Sequence, residues 1–218
     1  AGSVSYVRDT GVRTSHDDFE GRAEPGWSAR CNDVARNCTE WAEYGDITAE
    51  NFAASKASDC AFSGHGTHVA STVAGKEYGV AKGATVVAVQ VLDCRGQGEA
   101  ADIIGGIEWA VADARNHPDK KSIISMSLGG GKSELENEAI RIAHEANVLV
   151  IAAAGNEDDD ACAYSPASAD KAITVGSTAE DDSRSGFSNH GRCVDVFAPG
   201  SWITAAVSYT HLTLPTKA

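Results

Sequence analysis

Apolar runs alternate with amphipathic helical segments along this chain, and this alternation constrains its fold more than any other feature of the sequence. The pattern is typical of a parallel sheet with helices packed against it. Strands are predicted at residues 4–7, 84–92, 122–128, 148–154, 172–175 and 194–197. Because residues 148–154 are apolar throughout, we expect a central strand covered on both faces. The sequence therefore predicts an α/β fold around one mostly parallel sheet.

Two helices are predicted between these strands. The apolar residues of the first recur at helical spacing: Ile103, Ile107, Ala110, Val111 and Ala114. Ser133 with Glu136 forms a capping box that begins the second helix. Its predicted inner face consists of Leu135, Ala139, Ile142, Ala143 and Ala146. The polar residues 27–58 are interpreted as a surface excursion from one domain.

Composition excludes several classes of function. The formal net charge of −13 disfavours a nucleic-acid partner, which requires a basic surface. The sequence contains no run of eighteen apolar residues, so no membrane partner is expected. The six cysteines form no C-x-x-C zinc pair, which favours disulfides and an extracellular protein. With 218 residues, the chain is long enough to bury the core of one large domain.

Three separate segments contain candidate catalytic residues. Asp9 ends the first predicted strand, although its Asp-Thr-Gly triplet also occurs in aspartic proteases and in ordinary turns. His65 lies between glycines at a predicted helix start, where the helix dipole favours the neutral imidazole of a general base. His65 and His68 could instead be packed side chains or metal ligands. Asn156 follows a strand of small residues and could donate to an oxyanion or simply occupy a turn.

Together, in the order Asp, His, Asn, these segments resemble the subtilase family of subtilisin-like serine proteases, most closely its proteinase K and aqualysin type. The resemblance covers about residues 3–206 and includes matching segments at 91–94, 127–130, 164–167, 187–189 and 197–200. It implies a three-layer subtilisin-like fold, incomplete at both ends. It also implies a secreted, monomeric serine endopeptidase that cleaves polypeptides, has its own propeptide and needs no catalytic cofactor.

The resemblance also implies roles for individual residues. Asp9 would orient His65 as the general base, and Asn156 would donate to the oxyanion. Two peptide-binding edges and one pocket wall are implied by Gly96, Gln97, Gly98, Ser127, Leu128, Gly129, Ala153, Ala154 and Gly155. The Gly-Thr-Ser-Met-Ala segment of the nucleophile is absent from the printed sequence, so these 218 residues are expected to be inactive.

Disulfides and a calcium ion are further implications of the resemblance. The implied bridges are Cys60–Cys94, Cys162–Cys193 and, by elimination, Cys31–Cys38. A structural Ca²⁺ ion would be bound by the carboxylate of Asp195 and the carbonyl groups of Asp170 and Ala172. A solvated or salt-bridged Asp195 is the alternative.

Besides the absent nucleophile segment, the sequence departs from the family at Arg8. Arg8 replaces the apolar residue that precedes the catalytic acid in relatives, so it finds a carboxylate partner, is a sequencing error or damages the fold. If that partner were Asp9, Arg8 would compete with His65. Residues 207–218 resemble a translated sequencing adapter, so we expect a partial catalytic domain at 1–206 and a non-native tail at 207–218.

Two other classes of function stay open at this point. A non-catalytic subtilase homologue could bind peptides or a partner without ever having the serine. A nucleotide-binding α/β domain is suggested by the glycines at 129–131, but their spacing matches neither common phosphate-binding loop.

Overall fold

The computed structural model describes residues 2–29, 59 and 64–208, together with the backbone of residues 213–216. The strands are β1 Ser3–Asp9, β2 Ala23–Ser28, β3 Thr85–Gln90, β4 Lys121–Met126, β5 Gly130–Gly131, β6 Leu149–Ala153, β7 Tyr164–Ser165, β8 Ala172–Thr178, β9 Val196–Pro199, β10 Ile203–Ala206 and β11 Thr213–Thr216. The helices are α1 His65–Ala74, α2 Ala100–Arg115 and α3 Glu134–Glu145, with short 3₁₀ helices at Asp17–Phe19 and Ala161–Ala163.

Seven strands form one sheet in the order β2-β3-β1-β4-β6-β8-β9, and every neighbouring pair is parallel. This confirms the predicted α/β fold. Antiparallel pairs β5-β7 and β10-β11 lie outside the sheet. Because the large sheet is parallel, the carboxyl ends of β1, β4 and β6 meet at one edge, where residues from distant parts of the chain can converge.

The helices cover the sheet in two layers. Alternate residues of β1 and β3 pack with α2 and α3 on one face, where Tyr6 and Val89 are fully buried. The intervening residues pack with α1 on the other face, where Val7 and Ala88 are fully buried. The period-two alternation of strand side chains therefore divides the core into two clusters.

Within the described residues, no helix is long and apolar enough to cross a membrane.

The predicted inner face of α3 was partly wrong. Leu135 is 74% exposed and Ile142 is 47% exposed, whereas Ile140 is fully buried. The buried residues are Glu136, Ala139, Ile140 and Ala143, which follow the i, i+3, i+4, i+7 pattern of one helical face. The prediction counted Leu135 and Ile142 as core because they are apolar, but the face that packs on the sheet is centred on Ile140.

The predicted surface excursion also began too early. Trp27 and Ser28 belong to β2, which pairs with β3 at the edge of the sheet. Pro25 obscured this strand in the sequence, but a proline is tolerated at a sheet edge, and the register shifts between Pro25 and Trp27. The rest of the proposed excursion, residues 30–58, lies outside the described residues.

Strand β6 is less enclosed than predicted. Its side chains alternate between buried and half-buried, so only one face is fully covered. Ile151 and Ala153, on the less enclosed face, line a cavity of about 190 Å³ with residues of β4, β8 and β9.

Near the C-terminal end of the described chain, β10 pairs with β11. The domain boundary at residue 206 is not tested by this pairing and stays a prediction.

Candidate active site

Asp9 and His65 meet at the carboxyl edge of the sheet. Asp9 is the last residue of β1, and His65 is the first residue of α1. The Nδ1 atom of His65 lies 2.7 Å from Oδ1 of Asp9, which is fully buried. The side chain of His65 is 36% exposed. The pair therefore joins a buried carboxylate to an imidazole that solvent can reach.

Small residues allow this close approach of α1 to β1. A Cβ atom at Gly66 would collide with the carbonyl oxygen of Gly11. The Gly66 N–H donates to Oγ1 of Thr10 over 3.1 Å, and the Thr10 N–H donates to Oδ1 of Asp9 over 2.7 Å. The glycine after His65 therefore lets α1 and β1 touch, and Thr10 fixes both of them.

Asp9 controls the charge of His65. Burial lowers the pKa of the imidazole, but the hydrogen bond that its Nδ1–H donates to Asp9, together with the charges of Asp9 and Asp59, outweighs burial and raises that pKa. The predicted effect of the helix dipole, which favours the neutral imidazole, is therefore outweighed. A raised pKa also means that the imidazolium is stabilised when His65 accepts a proton.

Sequence analysis missed a second acid behind this pair. Oδ1 of Asp59 accepts from the Thr10 hydroxyl over 2.6 Å, and Oδ2 accepts from the backbone N–H of Thr67 over 2.8 Å. Burial raises the pKa of Asp59 to about 6, the hydrogen bonds from Thr10 and Thr67 oppose this, and the charge of Asp9 adds to it. The only sequence signal was an isolated acid six residues before His65. Asp59 thus links β1 to α1 and acts on the charge of His65.

Asp59→Asn is expected to lower the pKa of His65, because the negative charge of Asp59 raises it. Asp9→Asn should lower it further, since it removes both a charge and a charged hydrogen-bond partner. The carboxyl of Asp59 ionises as the pH rises through about 6, so Asp59 should stabilise the charged form of His65 more strongly above this pH than below it. An NMR titration of the His65 ring protons measures both shifts, with Asp181→Asn at an exposed position as the control. An unchanged or raised pKa in Asp59→Asn would contradict this coupling.

Asn156 lies on the same edge of the sheet as Asp9. It follows β6, and the sheet order places one strand, β4, between β1 and β6, which corresponds to about 10 Å between their ends. Gly155 has a φ of +106°, and a Cβ atom there would collide with the amide of Asn189. This loop therefore requires glycine immediately before Asn156.

A buried amide fixes the loop that contains Asn156. Nδ2 of Asn189 donates to the carbonyl of Ala154 over 2.9 Å and to Oε2 of Glu157 over 2.6 Å. Its Oδ1 accepts from the backbone N–H of Glu157 over 3.1 Å. The sequence analysis noted Asn189 only as part of a matching segment. The structure shows that it holds the residues on either side of Asn156, while Asn156 itself is exposed.

A cavity of about 960 Å³ lies beside His65. Both predicted peptide-binding edges, 96–98 and 127–129, line it. Ser127 also lines the 190 Å³ cavity with Ala153, whereas Ala154 is buried in a small cluster with Ala161 and Ala167. The structure thus brings the two edges together around one cavity. The substrate-binding roles of these residues stay a prediction.

The metal interpretation of the two histidines gains no support. Nε2 of His68 lies 3.1 Å from the carbonyl oxygen of Ile203, whereas His65 contacts Asp9. In the part of the chain that the structure describes, no three His, Cys, Asp or Glu side chains form a cluster that could bind a metal. The glycines at 130–131 form β5, which pairs with β7.

The predicted calcium ligands lie near the start of β8. Oδ2 of Asp195 accepts from the Thr174 N–H over 2.8 Å, and the Asp195 N–H donates to the Thr174 carbonyl over 2.9 Å. The carboxylate of Asp170 lies 3.2 Å from Nζ of Lys171, so its carbonyl is the candidate ligand. A carboxylate with backbone carbonyls is a donor set that suits Ca²⁺. The ligand roles of Asp195, Asp170 and Ala172 stay a prediction.

The cysteines are described in part. Cys162 and Cys193 form a disulfide, with their Cα atoms 5.3 Å apart. Cys94 is also disulfide-bonded. The Cys60–Cys94 and Cys31–Cys38 pairings involve Cys31, Cys38 and Cys60, which lie outside the described residues.

Arg8 does not compete for Asp9. Adjacent residues of a strand point to opposite faces of the sheet, and Arg8 is fully buried against α2, where its Nη2 donates to the Ile103 carbonyl. Its Nε and Nη1 atoms have no hydrogen-bond partner among the described residues. Burial lowers the pKa of Arg8 to about 9, and the charge of Glu136 opposes this. Of the alternatives that the sequence left open for Arg8, the structure therefore favours a carboxylate partner: Glu136 acts on it over a distance, and no ion pair joins the two side chains in the described part of the chain.

Comparisons with known proteins agree with this geometry. Residues 3–217 match the Subtilase family. The chain is 46% identical over 206 residues to an extracellular serine proteinase of Thermus sp. (strain Rt41A), covering 94% of this chain and 44% of that protein. It is 43% identical over 205 residues to alkaline serine exoprotease A of Vibrio alginolyticus, covering 94% of this chain and 33% of that protein. The chain thus spans less than half the length of each of these relatives.

A solved structure has the same fold. The crystal structure of a cold adapted subtilisin-like serine proteinase superposes with a TM-score of 0.84 and 40% sequence identity, covering 100% of this chain and 69% of that one. The parallel sheet, the contact between Asp9 and His65 and the sequence matches all lead to one conclusion. The chain belongs to the subtilase family.

Proposed function

We propose that this protein is a serine endopeptidase that cleaves extended polypeptide segments. One observation carries the proposal: Oδ1 of the buried Asp9 lies 2.7 Å from Nδ1 of His65, and His65 lines the cavity between the two peptide-binding edges. A carboxylate on one ring nitrogen orients the imidazole and leaves Nε2 for proton transfer, which is the arrangement a general base requires.

The proposed reaction uses His65 twice. Nε2 of the neutral His65 removes the proton of the serine hydroxyl while the serine oxygen attacks the peptide carbonyl carbon. The imidazolium that forms is stabilised by Asp9, and it then gives its proton to the leaving amine as the peptide C–N bond breaks. Water hydrolyses the acyl-enzyme by the same proton transfers. No catalytic cofactor takes part.

Asn156 would stabilise the oxyanion of the tetrahedral intermediate. Its side chain is exposed at the end of β6, on the edge that carries Asp9, so its amide N–H₂ is free to turn toward a bound carbonyl. The second donor would be the backbone N–H of the serine. A donor of this kind contributes about 3–4 kcal/mol to lowering the barrier in subtilisin, the example for which it is best known.

Peptide recognition would depend mainly on the backbone. The edges at 96–98 and 127–129 are rich in glycine and line the same cavity, so their N–H and C=O groups can pair with an extended chain. Ala153, Ala154 and Gly155 would form a wall of the primary pocket, and their small side chains favour broad preference for apolar or aromatic residues. Asp9, His65, Asn156 and these segments together constitute the proposed site.

The serine would come from a segment encoded downstream of the printed residues. No Gly-Thr-Ser-Met-Ala segment occurs within the 218 residues, and we propose that they are inactive without it. The test is hydrolysis of casein and of peptide anilides by the complete gene product. An active-site acylating reagent should label that product rapidly and leave the 218-residue chain unlabelled. A complete gene without the serine, or a product that binds peptides without cleaving them, would instead establish a non-catalytic homologue.

The cellular context of the protein follows from the same proposal. A relative is named an extracellular proteinase, and the Cys162–Cys193 disulfide suits an oxidising compartment. We therefore propose a secreted monomer that acts on polypeptides and has its own propeptide. The net charge of −13 makes nucleic acid an unsuitable partner.

A structural Ca²⁺ ion is proposed at the start of β8. The Asp195 carboxylate and the carbonyls of Asp170 and Ala172 would hold it, and the ion would fix the connection into β8. It supplies no chemistry to the reaction.

Removal of Ca²⁺ with EGTA is expected to lower the melting temperature of the chain by roughly 5–10 °C relative to a hundredfold excess of Ca²⁺ over its Kd. Asp195→Asn should abolish this response, because it removes the only side-chain ligand. Asp170→Asn is the matched control and should keep the response, since only its backbone carbonyl binds. Differential scanning calorimetry measures all three proteins, and equal responses in the two variants would refute the site.

A further inference from the structure

A carboxylate that lacks a hydrogen-bond donor lies in the wall of the cavity beside His65. Glu136 is 6% exposed and lines the 960 Å³ cavity, and its buried Oε1 atom accepts no hydrogen bond from the described residues. A buried carboxylate oxygen without a donor is costly, because burial removes the water that would otherwise bind it. A donor supplied by a bound molecule would remove this cost.

The Glu136 side chain is not used to cap its own helix. In a complete capping box, Glu136 would accept from the backbone N–H of Ser133. That N–H instead donates to Oγ of Ser165 over 2.9 Å, and only the reciprocal bond from the Glu136 N–H to Oγ of Ser133, at 3.3 Å, is formed. Ser165 thus takes over the capping role and leaves the Glu136 side chain available.

Two nearby features partly offset the effect of burial on Glu136. Burial raises the pKa of Glu136, and the charge of Arg8 opposes this rise without cancelling it. The residue also lies in the first turn of α3, where the helix dipole favours an anion. Arg8 itself is fully buried, so it cannot reach a molecule in the cavity. The other cation near the cavity, Arg95, lies on the exposed rim and can turn into solvent.

The rest of the cavity wall near Glu136 is apolar. Leu92, Ile103 and Leu128 line it with the two peptide-binding edges. An aliphatic stem would pack against these side chains, and a cation at its tip would meet the carboxylate. Lysine and arginine are the protein side chains that combine an aliphatic stem with a cationic tip. An uncharged side chain of the same length would leave the carboxylate buried and unpaired.

We propose that Glu136 makes this cavity select a lysine or arginine side chain of the bound polypeptide. This inference rests on the proposed peptide-binding function and adds a substrate class to it. Selection would occur at one position along the peptide, because a single carboxylate faces the cavity at this point among the described lining residues. The apolar walls would bind the stem of the side chain, and the charge would determine specificity.

The test measures peptide binding to the ¹⁵N-labelled 218-residue chain, which does not require the nucleophile. Hexa-alanine peptides carrying one lysine are scanned along the sequence and compared with the same peptides carrying norleucine, by amide shift changes at residues 96–98 and 127–129. At one position, lysine should bind about tenfold or more tightly than norleucine. No preference at any position, or no binding up to 10 mM peptide, overturns the inference (about 10 mM is the weak limit for such titrations). Hydrolysis by the complete gene product tests the proposed function separately.

Variants identify the residue responsible. Glu136→Gln should abolish the lysine preference while leaving norleucine binding within about twofold. Glu134→Gln is the matched control, because Glu134 lies in the same helical turn but is exposed, and it should keep the preference. Because Glu136→Gln also removes the charge near Arg8, the comparison is repeated between Arg8→Ile and the double variant Arg8→Ile/Glu136→Gln. A preference that survives Glu136→Gln on both backgrounds overturns the inference.

Discussion

His65→Ala in the complete gene product is expected to lower kcat by about 10⁶, the loss seen when the catalytic histidine of subtilisin is removed. The physical reason is that, among the described residues, His65 is the only base in contact with Asp9. Oδ1 of Asp9 accepts from the Thr10 N–H and contacts His65, and Oδ2 has no hydrogen-bond partner there. Without the imidazole, the serine hydroxyl would have to lose its proton to water. The fold should persist, because His65 is partly exposed at the start of α1 and its side chain fills no core cavity.

Asp9→Asn in the same protein should lower kcat by roughly 10⁴, because an amide would favour the wrong tautomer of His65 and would not stabilise the imidazolium. Steady-state hydrolysis of a peptide anilide measures both variants, and circular dichroism checks that they fold. His117→Ala, at an exposed position after α2, is the control and should keep full activity. A His65→Ala protein that kept more than about 1% of the parental kcat would exclude the proposed mechanism.

The sheet could be predicted from the sequence because its strands are short apolar runs. Residues 122–128 and 172–175 were placed within two or three residues of β4 and β8, since apolar β-branched side chains fill a buried parallel strand. The pairing of Asp9 with His65 was implied by the resemblance to the subtilase family and not by the residue pattern alone. Strand β2 was missed because Pro25 masks an edge strand whose ladder bonds it does not need.

The error in the inner face of α3 has a different cause, because apolarity alone does not determine which face of a helix is buried. Leu135 and Ile142 suggested an inner face for α3 that the helix does not bury, while the charged Glu136 lies inside. A sequence pattern assigns charged residues to solvent, since an isolated buried charge is costly. It cannot show that another charge, Arg8, is buried in a strand more than 100 residues away. Asp59 was missed because its partners Thr10 and Thr67 come together only in the fold.

The two buried charges at positions 8 and 136 lead to the second large effect. Arg8 is fully buried, and two of its nitrogen atoms have no acceptor among the described residues, so it is stabilised chiefly by its bond to the Ile103 carbonyl and by the charge of Glu136. Its pKa of about 9 still leaves it charged at neutral pH. Removing the carboxylate alone would therefore leave an uncompensated cation in the core. Removing both charges would leave neither a buried cation nor a buried carboxylate at this place in the core.

Glu136→Val is thus expected to lower the free energy of unfolding by about 1–3 kcal/mol, whereas Arg8→Ile/Glu136→Val should lie within about 1 kcal/mol of the parent chain or above it. Urea unfolding of the 218-residue chain at pH 7 and constant m-value measures the four members of this double-mutant cycle. Glu134→Val, in the same turn but exposed and 3.3 Å from Lys132 across the surface, should change stability by less than about 0.5 kcal/mol. If Arg8→Ile had the same effect whether residue 136 is glutamate or valine, the two charges would be independent. In that case the burial of Arg8 would have to be explained by its bond to Ile103 alone, which is a weak compensation for a desolvated guanidinium.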